Sequence, residues 1–436
     1  MARDSGALTL GAAALAAALV AAACARPGSA DPNLVRFWAL GREGEVVREL
    51  VPEFERRHPG VRVQVQQIPW TAAHEKLLTA FVGGSPPDLA QLGNTWIPEF
   101  AAIGALRPLD DRIAASRALS RSSYFEGIWQ TNAISGRMFG IPWYVDTRVL
   151  FYRPDLLRAA GYAEPPRTWP AWRDAMERIR KRSGGSAYAI LLPTNEWEQL
   201  TILGLQRSSP LLADGGRRGA FAGPEFAGAA DWYVGLFRDA LAPVVSYTQL
   251  GNPYQEFARG YFAMWITGPW NLGEFRRRLP AAQQDLWMTA PLPAPDAASP
   301  WPGTSFAGGS SLAIFRASPR AEAAWLFAEY LSDPDVQRRF YELAGDLPAR
   351  REAWDSAPLA GDIKAAAFRA QLARVEPLPR VPEWEQIAQK IPEDLEAAIR
   401  GRETVSRSLA ALDTDVDRIL EKRRWILARA EARPGR

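Results

Sequence analysis

Two residue types with versatile chemistry are nearly missing from this chain. Its 436 residues include one cysteine and two histidines. A single cysteine excludes a disulfide within the chain and any thiolate metal cluster. Two histidines leave almost no material for a histidine-rich metal site or for histidine-based catalysis. No motif in the sequence requires a metal or any other cofactor.

The short motifs of common enzyme classes are missing as well. There is no GxxxxGK(S/T) phosphate loop, no HExxH zinc site, no GxSxG nucleophile turn and no glycine fingerprint after a strand. Phosphate-loop chemistry, zinc hydrolysis and serine nucleophilic catalysis therefore lack their usual residues. Paired carboxylates would still suffice for a glycoside hydrolase, and that alternative stays open from the sequence.

The chain does have balanced charge and many aromatic residues. Fifty-two basic residues stand against 49 acidic ones, for a net charge of +3, which gives no reason to expect a nucleic-acid partner. The content is 47% hydrophobic and 23% charged, enough to bury a full core, and the length fits two to three domains of roughly 150 residues. The 17 Trp, 18 Phe and 11 Tyr indicate either a large core or a surface that binds flat, partly apolar ligands.

The first 23 residues have the pattern of a sorting signal. Arg3 is followed by an apolar run, LTLGAAALAAALVAAA, that stops at Cys24. A positive start, an apolar stretch and small residues before a cleavage site are typical of a secretory signal peptide, which we expect at residues 1–23. The segment AAAC resembles the lipobox of bacterial lipoproteins, with Ala21 where leucine is usual.

We therefore expect Cys24 to be lipidated and residues 24–32 to be a flexible tether. The protein would then be an exported cell-envelope lipoprotein that faces the periplasm or the cell exterior. An ordinary secretory signal with an incidental cysteine is the alternative.

Short strands alternate with helices along the rest of the chain. Residues 34–38 are an apolar run typical of a buried strand, and residues 61–66 alternate strictly between apolar and polar. Between them, residues 43–57 have helical spacing, which Pro52 should kink or divide. Such alternation indicates βαβ units around a mostly parallel sheet.

Three later segments also carry predictions. Residues 195–279 have a mainly helical pattern with breaks at proline and glycine. Residues 291–309 are dense in proline, glycine, serine and alanine, which predicts a loop or a crossing between domains. Residues 321–331 have the spacing of an amphipathic helix.

Five segments match a known pattern in order and spacing. They are RFWALGREGEVVRELVPEFERRHPGVRVQV, GGSPPDLAQLGNTWIPEFAAIGALRPLDD, GIPWYVDTRVLFYRPDLLRAAG, FARGYFAMWITGPWNL and GGSSLAIFRASPRAEAAWLFAEYLSDPDVQRRFYELAGDLPAR. With these segments, nearly the whole chain after the signal resembles the extracellular solute-binding proteins (family 1) of carbohydrate ABC transporters, of the maltose, trehalose and glycerol-phosphate type.

The resemblance implies an α/β protein with the two-lobed periplasmic-binding-protein fold of type II. Two or three crossing segments would form its hinge, and ligand would lie between the lobes. On that pattern, lobe one takes residues 33–144 and 312–346, and lobe two takes residues 146–305 and 347–436. Such proteins close about the hinge when ligand contacts both lobes, and the transporter recognises the closed form.

A sugar site needs aromatic plates for the C–H faces of the rings and fixed polar groups for the hydroxyls. On the family's pattern, Trp265 and Trp270 occupy the stacking segment around Gly268-Pro269, although either could instead be core. Trp197 in the second lobe and Trp301 before the second crossing are further candidate plates.

The polar candidates lie at strand ends and crossings. Tyr144 and Asp146 fall at the first crossing, where the family presents a ring and a carboxylate, although Asp146 could also cap a turn. Glu43 begins the first helix, where related proteins place a hydroxyl acceptor and where an acidic residue also suits the helix dipole. Arg350 corresponds to an arginine that several members direct at the ligand, with a surface ion pair as the alternative.

Two further segments complete the expected site. Asn94, Thr95 and Trp96 follow a short strand, and ligands of open α/β sheets bind at such strand ends, although helix capping is another role for these residues. Gly308 and Gly309 match the second crossing, where missing side chains let backbone N–H groups reach ligand hydroxyls.

The resemblance implies the substrate-binding component of an ABC importer. We expect a monomer without catalytic activity that captures an oligosaccharide, with a disaccharide as the expected size, and delivers it to a membrane permease. A phosphorylated polyol such as a glycerophosphodiester is an alternative ligand, since Arg350 and helix N-termini suit phosphate. An exported glycoside hydrolase is the alternative from another class, and it would need two carboxylates, with Glu43 and Asp146 as the pair, about 5 to 9.5 Å apart.

Overall fold

Two β-sheets, each covered by helices, organise the chain. The computed structural model describes residue 31 and residues 33–432. Its strands are β1 (Leu34–Leu40), β2 (Arg62–Ile68), β3 (Leu89–Gly93), β4 (Ala133–Ile134), β5 (Arg137–Met138), β6 (Ile141–Asp146), β7 (Val149–Tyr152), β8 (Tyr188–Leu191), β9 (Leu212–Ala213), β10 (Arg218–Gly219), β11 (Phe262–Thr267), β12 (Met288–Ala290), β13 (Ser305–Ile314), β14 (Leu347–Pro348) and β15 (Val375–Pro377).

Helices fill most of the remaining sequence. The α-helices are α1 (Glu43–Val46), α2 (Val51–Arg57), α3 (Trp70–Val82), α4 (Ile97–Ala102), α5 (Asp110–Ala115), α6 (Glu126–Gln130), α7 (Pro154–Ala159), α8 (Trp169–Arg182), α9 (Glu198–Gln206), α10 (Pro224–Arg238), α11 (Pro253–Ala258), α12 (Trp270–Arg278), α13 (Ala321–Leu331), α14 (Pro334–Ala344), α15 (Ala366–Gln371), α16 (Trp384–Ile399), α17 (Val405–Ile419) and α18 (Glu421–Glu431). Single 3₁₀ turns lie at Val47–Glu49, Asn94–Trp96, Arg121–Ser123, Ala281–Leu286, Arg351–Asp355 and Leu359–Gly361.

The first sheet has the strand order β14-β6-β13-β3-β1-β2, and β15 pairs with the start of β13. Strand β1 runs parallel to β2 and β3, as the βαβ pattern predicts. The other main pairings, of β13 with β3 and β6 and of β6 with β14, are antiparallel. The expectation of a mostly parallel sheet is therefore wrong here, because β13 returns from the other sheet in the opposite direction, and it is also wrong for the second sheet, where β7 is antiparallel to both β11 and β12.

The second sheet has the strand order β12-β7-β11-β8. Its central strand β11 is antiparallel to β7 and parallel to β8. All six residues of β11 are buried, because helices cover both faces of this sheet. Residues 262–267 are thus a strand within the stretch that the sequence pattern assigns mainly to helices.

The chain passes between the sheets at three places. Thr147 and Arg148 join β6 to β7, residues 291–304 join β12 to β13, and residues 349–365 lead from β14 to α15, which packs on β7 and β12 of the second sheet. The C-terminal helices α16 and α17 then share a buried core with helices on the second sheet, since Trp384 and Leu412 belong to the same cluster as Trp172. Below, the first lobe is the first sheet with its covering helices. The second lobe is the second sheet with its covering helices and α16–α18.

Several local predictions are confirmed by these elements. Pro52 stands in the first turn of α2, and the helical pattern at 43–57 is divided into α1, a 3₁₀ turn and α2. The helix predicted at 321–331 is α13. The loop predicted at 291–309 ends earlier than expected, because β13 begins at Ser305.

The predicted lobe boundaries at 144 and 312 fall inside β6 and β13 and not between elements. Strand β14, which that division gives to lobe two, pairs with β6 of the first sheet. The division into lobes stays a prediction. The signal peptide, Cys24 and the tether up to residue 30 lie outside the described residues. Within residues 33–432, no helix is both long enough and apolar enough to cross a membrane.

Candidate ligand-binding cleft

A cavity of about 570 Å³ lies between the two lobes, within the range of roughly 300–1,000 Å³ typical of small-molecule sites. It opens where β1, β2, β3 and β6 end, as expected for open α/β sheets. The first lobe lines it with Arg42, Glu43, Trp70, Gly93, Asn94, Thr95, Trp96, Tyr144, Asp146, Phe306, Gly308, Gly309, Ser310, Ala344 and Asp346. The second lobe and the first crossing contribute Arg148, Trp197, Glu198, Pro269, Trp270, Glu274, Arg277 and Glu385.

A buried hydrogen-bond network centred on Tyr144 fixes the first-lobe wall. The Tyr144 hydroxyl donates to Glu43 Oε1 at 2.9 Å and accepts from Gln91 Nε2 at 3.0 Å and Ser310 Oγ at 2.9 Å. Gln91 is itself held by the Leu40 backbone N–H, which donates to its Oε1 at 2.8 Å. Every hydrogen-bonding capacity of the Tyr144 hydroxyl is therefore used by the protein, and Glu43 is held in one orientation.

Among residues 33–432, no cationic side chain donates a hydrogen bond to Glu43, which lines the cleft. Its second oxygen accepts from Trp70 Nε1 at 3.4 Å, so both hydrogen bonds from side chains come from neutral donors. Burial raises the pKa of Glu43, while hydrogen bonds, including that from Tyr144, counteract part of the rise. Such a carboxylate is a strong acceptor for ligand hydroxyls.

Asp346, directly after α14, is a second buried carboxylate on the same wall. Burial raises its pKa well above the ordinary value, and the neighbouring charges of Glu43 and Asp146 raise it further. Its side chain lines the cavity, and hydrogen bonds from described residues do not offset this rise. The charges of Arg277 and Arg42 offset only part of the rise at Asp346, and the charge of Arg42 offsets part of the rise at Glu43. The site thus contains two adjacent buried carboxyl groups whose ionised forms are incompletely compensated by nearby cations.

Asp146 differs from these two because Arg148 neutralises it. Arg148 Nη1 donates to both Asp146 oxygens, at 2.5 and 2.6 Å, and Nη2 donates to Glu198 Oε1 at 2.9 Å. The guanidinium also lies 4.6 Å from the centroid of the Trp270 ring and 5.1 Å from that of Phe306. Arg148 therefore links the first crossing to α9 and supports the Trp270 indole from behind.

Aromatic rings provide flat surfaces on both lobes. On the first lobe, Trp70 and Trp96 meet edge to face with their centroids 5.7 Å apart. On the second lobe, Trp270 begins α12 and its ring folds back over Gly268, where a Cβ would lie 2.0 Å from the indole. The glycine of the Gly-Pro-Trp turn is therefore required for the position of this ring.

The 3₁₀ turn after β3 presents amide and hydroxyl groups. Asn94 Oδ1 accepts from Ser311 Oγ at 2.8 Å, while its Nδ2 has no hydrogen-bond partner among the described residues although Asn94 is only 4% exposed. An unsatisfied buried donor is costly, so this N–H₂ group is available to a ligand acceptor. Helix α16 of the second lobe contacts this turn. Burial raises the pKa of its Glu385, partly offset by a hydrogen bond from Thr95 and by His74.

Gly309 fixes the backbone at the second crossing. It has φ +128°, and a Cβ there would lie 2.2 Å from the Tyr144 carbonyl oxygen. The glycine lets β13 approach β6 closely enough to hold Tyr144 and Ser310 in the network.

Acidic groups outnumber basic ones around the cavity. The lining carboxylates are the six of Glu43, Asp146, Glu198, Glu274, Asp346 and Glu385, against the three guanidinium groups of Arg42, Arg148 and Arg277. Arg148 is paired with Asp146 and Glu198, and Arg277 is paired with Glu274. The ionised forms of these carboxyl groups would repel an anionic ligand, although the raised pKa values of Glu43, Asp346 and Glu385 reduce the negative charge that the cleft presents.

Ten of the thirteen ligand-binding residues predicted from sequence line this cavity. They are Glu43, Asn94, Thr95, Trp96, Tyr144, Asp146, Trp197, Trp270, Gly308 and Gly309. Their contact with ligand stays a prediction. The other three, Trp265, Trp301 and Arg350, lie elsewhere.

Trp265 is a core residue and not a cleft plate. It is fully buried in β11, and its ring centroid lies 6.1 Å from Tyr254, 6.2 Å from Phe262 and 6.3 Å from Phe275. Because helices cover both faces of the second sheet, a side chain in its central strand has no route to the cleft.

Trp301 and Arg350 are also misplaced by the sequence prediction. Trp301 lies on the outer surface of the second crossing, with the Arg167 guanidinium 4.6 Å from its ring centroid. Arg350 is buried within the first lobe, where Nη1 donates to the carbonyl oxygens of Ala118 at 2.9 Å and Ser332 at 3.0 Å. It braces loops, pairs at 3.3 Å with the half-exposed carboxylate of Glu352, and is not a cleft residue.

Other cleft residues were not predicted. Trp70 directly follows β2, so the strand-end rule could have identified it. Arg148 adjoins Asp146 in the first crossing, and Asp346 precedes the Leu347-Pro348 turn. Glu385 is far from these segments in sequence, and nothing in its local pattern marks it as a cleft residue.

Comparisons with known proteins agree with this geometry. Residues 38–338 match the family model described as bacterial extracellular solute-binding protein. Among solved structures, the chain is similar to the sugar-binding protein MalE from the phytopathogen Xanthomonas citri, with 47% identity, a TM-score of 0.86 and coverage of 91% of this chain and 99% of that one.

Two more distant proteins extend the likeness. An ABC transporter solute-binding protein from Thermotoga lettingae, bound with α-D-tagatose, shares 26% identity at a TM-score of 0.76, over 89% of this chain and all of the other. The diacetylchitobiose binding protein DasA of Streptomyces coelicolor is 26% identical over 345 residues, 77% of each chain.

Proposed function

The chain belongs to the family of bacterial extracellular solute-binding proteins, and from this premise we propose that it captures an oligosaccharide in the interlobe cleft and delivers it to the membrane permease of an ABC importer. It has the two-lobed α/β fold of its 47% identical neighbour. The family and the fold predicted from the sequence are therefore confirmed. The names of the sugar-binding MalE and of DasA support a carbohydrate as the class of ligand.

The observation that carries this proposal is the pairing of fixed carboxylates with aromatic faces. Glu43 is held by Tyr144 and Trp70, while Trp270 stands opposite on the second lobe. A pyranose needs this combination, because its C–H faces stack on indoles and its hydroxyls donate to carboxylates. The volume of about 570 Å³ is consistent with the disaccharide that the sequence predicts.

A phosphorylated polyol is the weaker candidate. The cleft is lined by six carboxylates and three guanidinium groups, and Arg350, the expected phosphate ligand, lies outside it. A phosphate beside Glu43 and Asp346 would repel their ionised forms and raise their pKa values further, which costs electrostatic free energy. A neutral saccharide avoids that repulsion.

We further propose that the ligand is released unchanged. The glycosidase alternative requires one free acid and one free base or nucleophile across the scissile bond. Both Asp146 oxygens accept hydrogen bonds from Arg148 Nη1, so neither is free to act as that acid, base or nucleophile. The relatives named above are binding proteins, which supports the same reading.

Closure of the lobes would make binding a signal to the transporter. Ligand that touches Glu43 and Tyr144 on one lobe and Trp270 on the other binds the closed form better, so it shifts the population towards closure. The crossing segments at 147–148, 291–304 and 349–365 are the proposed hinge. We propose that the protein acts as a monomer, exported by residues 1–23 and anchored through Cys24.

A ligand screen tests the proposed function. The mature protein is heated in the presence of mono-, di- and trisaccharides and of glycerophosphodiesters, and a ligand at a hundred times its Kd adds about 2.7 kcal/mol to the free energy of unfolding. We expect a disaccharide to raise the Tm and to be recovered intact by chromatography. A response to glycerophosphodiesters alone, or cleavage of the sugar, would overturn the proposal.

A further inference from the structure

A second cavity, here called the outer groove, lies on the flank of the second lobe. Its volume is about 410 Å³, and its lining includes Thr194, Asn195, Trp197, Gln249, Gln389 and Pro392. These residues come from the loop before α9, the loop before α11 and helix α16. The groove is thus built by one lobe, whereas the cleft needs both.

The outer groove and the cleft share a wall. Trp197 lines both cavities, and its ring is positioned by Phe306 at 5.8 Å and, edge on, by Trp384 at 5.9 Å between centroids. Helix α16 also borders both, because Glu385 lines the cleft and Gln389, one turn later, lines the groove. A chain-like ligand that extended from the cleft past the Trp197 indole would therefore enter the groove.

Two amides in the groove are oriented so that their N–H₂ groups donate no hydrogen bond to the residues that the structure describes. The Tyr247 backbone N–H donates to Asn195 Oδ1 at 2.9 Å, and the Ser246 backbone N–H donates to Gln249 Oε1 at 2.9 Å. Since the backbone donors fix which end of each amide is the carbonyl, the N–H₂ ends are left to donate to a ligand. Gln389 adds a third amide from the opposite side.

The charges around the groove are paired within the protein. Lys390 Nζ donates to Glu393 Oε2 at 2.6 Å, and Arg400 Nε donates to Glu396 Oε1 at 2.9 Å. A site of amides, hydroxyls, one indole face and neutralised charges suits an uncharged polyhydroxylated ligand.

We infer that the outer groove is a binding subsite for the third and later units of a neutral oligosaccharide whose first two units fill the cleft. The inference rests on the proposed function and extends its substrate class from disaccharides to longer chains. Because the groove belongs to the second lobe alone, it contributes to affinity without being part of the closing contacts. A net hydrogen bond contributes about 0.5–1.5 kcal/mol, so two such bonds from the amides predict a gain of about tenfold in affinity.

Isothermal titration of the mature protein with two homologous series tests this subsite. The probes are maltose, maltotriose and maltotetraose, and the chitin series from the N,N′-diacetyl disaccharide to the tetrasaccharide. In a series that binds, we expect the trisaccharide to bind about tenfold more tightly than the disaccharide. Gln389→Ala combined with Asn195→Ala should remove that advantage and leave the disaccharide Kd unchanged.

Helix α16 offers a matched control. Gln386 is an exposed glutamine of the same helix that does not line the groove, so Gln386→Ala should leave both affinities unchanged. Equal Kd values for di- and trisaccharide, or an advantage that survives in the double variant, would overturn the subsite while the proposed function stands. If no saccharide of any length binds, both proposals fail together.

Discussion

The Tyr144 hydroxyl donates a 2.9 Å hydrogen bond to the buried Glu43 carboxylate, 101 positions away in the sequence. Glu43 begins the helix after β1, whereas Tyr144 lies near the end of β6, so the bond forms only once both strands are in the first sheet. The same hydroxyl accepts from Gln91 and Ser310 of two further strands. One phenol thus couples the packing of the first lobe to the position of a carboxylate at the cleft.

The Tyr144→Phe variant tests this coupling. Loss of the hydroxyl leaves Glu43 with the longer hydrogen bond from Trp70 Nε1 and removes one acceptor of Gln91 Nε2 and that of Ser310 Oγ, which should cost about 1–3 kcal/mol in unfolding free energy. We also expect the Kd for sugar to rise about tenfold, because Glu43 is no longer held in place. Urea unfolding and calorimetric titration measure the two effects.

Tyr254→Phe is the matched control for that variant. The Tyr254 hydroxyl donates at 2.7 Å to Asn271 Oδ1 in the second lobe, away from the cleft lining. Its loss should destabilise the fold by a similar amount and leave the Kd unchanged. If both variants weaken binding equally, Tyr144 acts through global stability and not through Glu43.

A second prediction compares the effects on sugar binding of two exposed tryptophans, each of which packs against an arginine side chain. Trp270 is 36% exposed and Trp301 is 41% exposed, and each ring centroid lies 4.6 Å from an arginine guanidinium. Trp270 lines the cleft, whereas Trp301 does not. Burial of an aromatic face contributes about 1.5–3 kcal/mol, so Trp270→Ala should raise the Kd about ten- to a hundredfold, and Trp301→Ala should not change it. Equal effects on the calorimetric Kd would contradict the assignment of Trp270 as a plate.

Trp265 and Trp270 show that the sequence identifies the ligand-binding segment but not which of its tryptophans faces the cleft. The motif around Gly268-Pro269 identifies the segment, and both tryptophans have the hydrophobicity of a core or a sugar plate. Only the pairing of β11 with β7 and β8 buries Trp265, and only the reversal at Gly268 turns Trp270 into the cleft. Each outcome depends on tertiary contacts that residue order does not encode locally.

In the rest of the fold and site, features set by local sequence were predictable, and features set by tertiary contacts were not. Elements with strong local patterns, such as β1 and α13, were predictable from hydrophobic spacing. Residues directly after strands, such as Asn94, were predictable because strand ends meet in the cleft. Glu385 was not, because its place depends on how α16 packs between the second lobe and the turn after β3.

A third prediction concerns the pH dependence of stability. Burial and the charges of Glu43 and Asp146 raise the pKa of Asp346 above its ordinary value of 3.8, so the folded protein holds this proton to higher pH than the unfolded chain. The contribution of Asp346 to stability therefore falls as the pH rises from about 3.8 through the raised pKa. In the ligand-free protein, Asp346→Asn should raise the Tm near neutral pH, and this gain should shrink as the pH approaches about 4.

Asp362 serves as the control, because its pKa is lowered and its contribution to stability changes with pH in the opposite direction. Burial works against ionisation there, but hydrogen bonds from the Tyr341 hydroxyl and from Arg276 hold the pKa of Asp362 below its ordinary value. Its stabilising contribution is present above pH of about 3.8 and is lost as the pH falls through the lowered pKa. Asp362→Asn should therefore lower the Tm near neutral pH. Thermal scans between about pH 4 and pH 8 that gave both variants the same sign would refute the burial account of Asp346.

The last prediction concerns Arg148, whose guanidinium serves both the fold and the cleft. Removing one partner from a buried ion pair leaves uncompensated charge and costs about 3–5 kcal/mol. Arg148→Met should lower the unfolding free energy by that amount, because Asp146 and Glu198 lose their common cation. Arg121→Met removes an exposed pair with Glu126 and should leave the urea midpoint nearly unchanged.

A double variant separates the charge effect from the loss of packing. In Arg148→Met with Glu198→Gln, one of the two stranded carboxylates becomes neutral, so part of the lost stability should return. Both the single and the double variant should bind sugar more weakly than the unmodified protein, because the Trp270 ring has lost the cation that lies 4.6 Å from its centroid. Recovery of stability together with full affinity would mean that Trp270 is held by the turn at Gly268 alone and that Arg148 has a purely structural role.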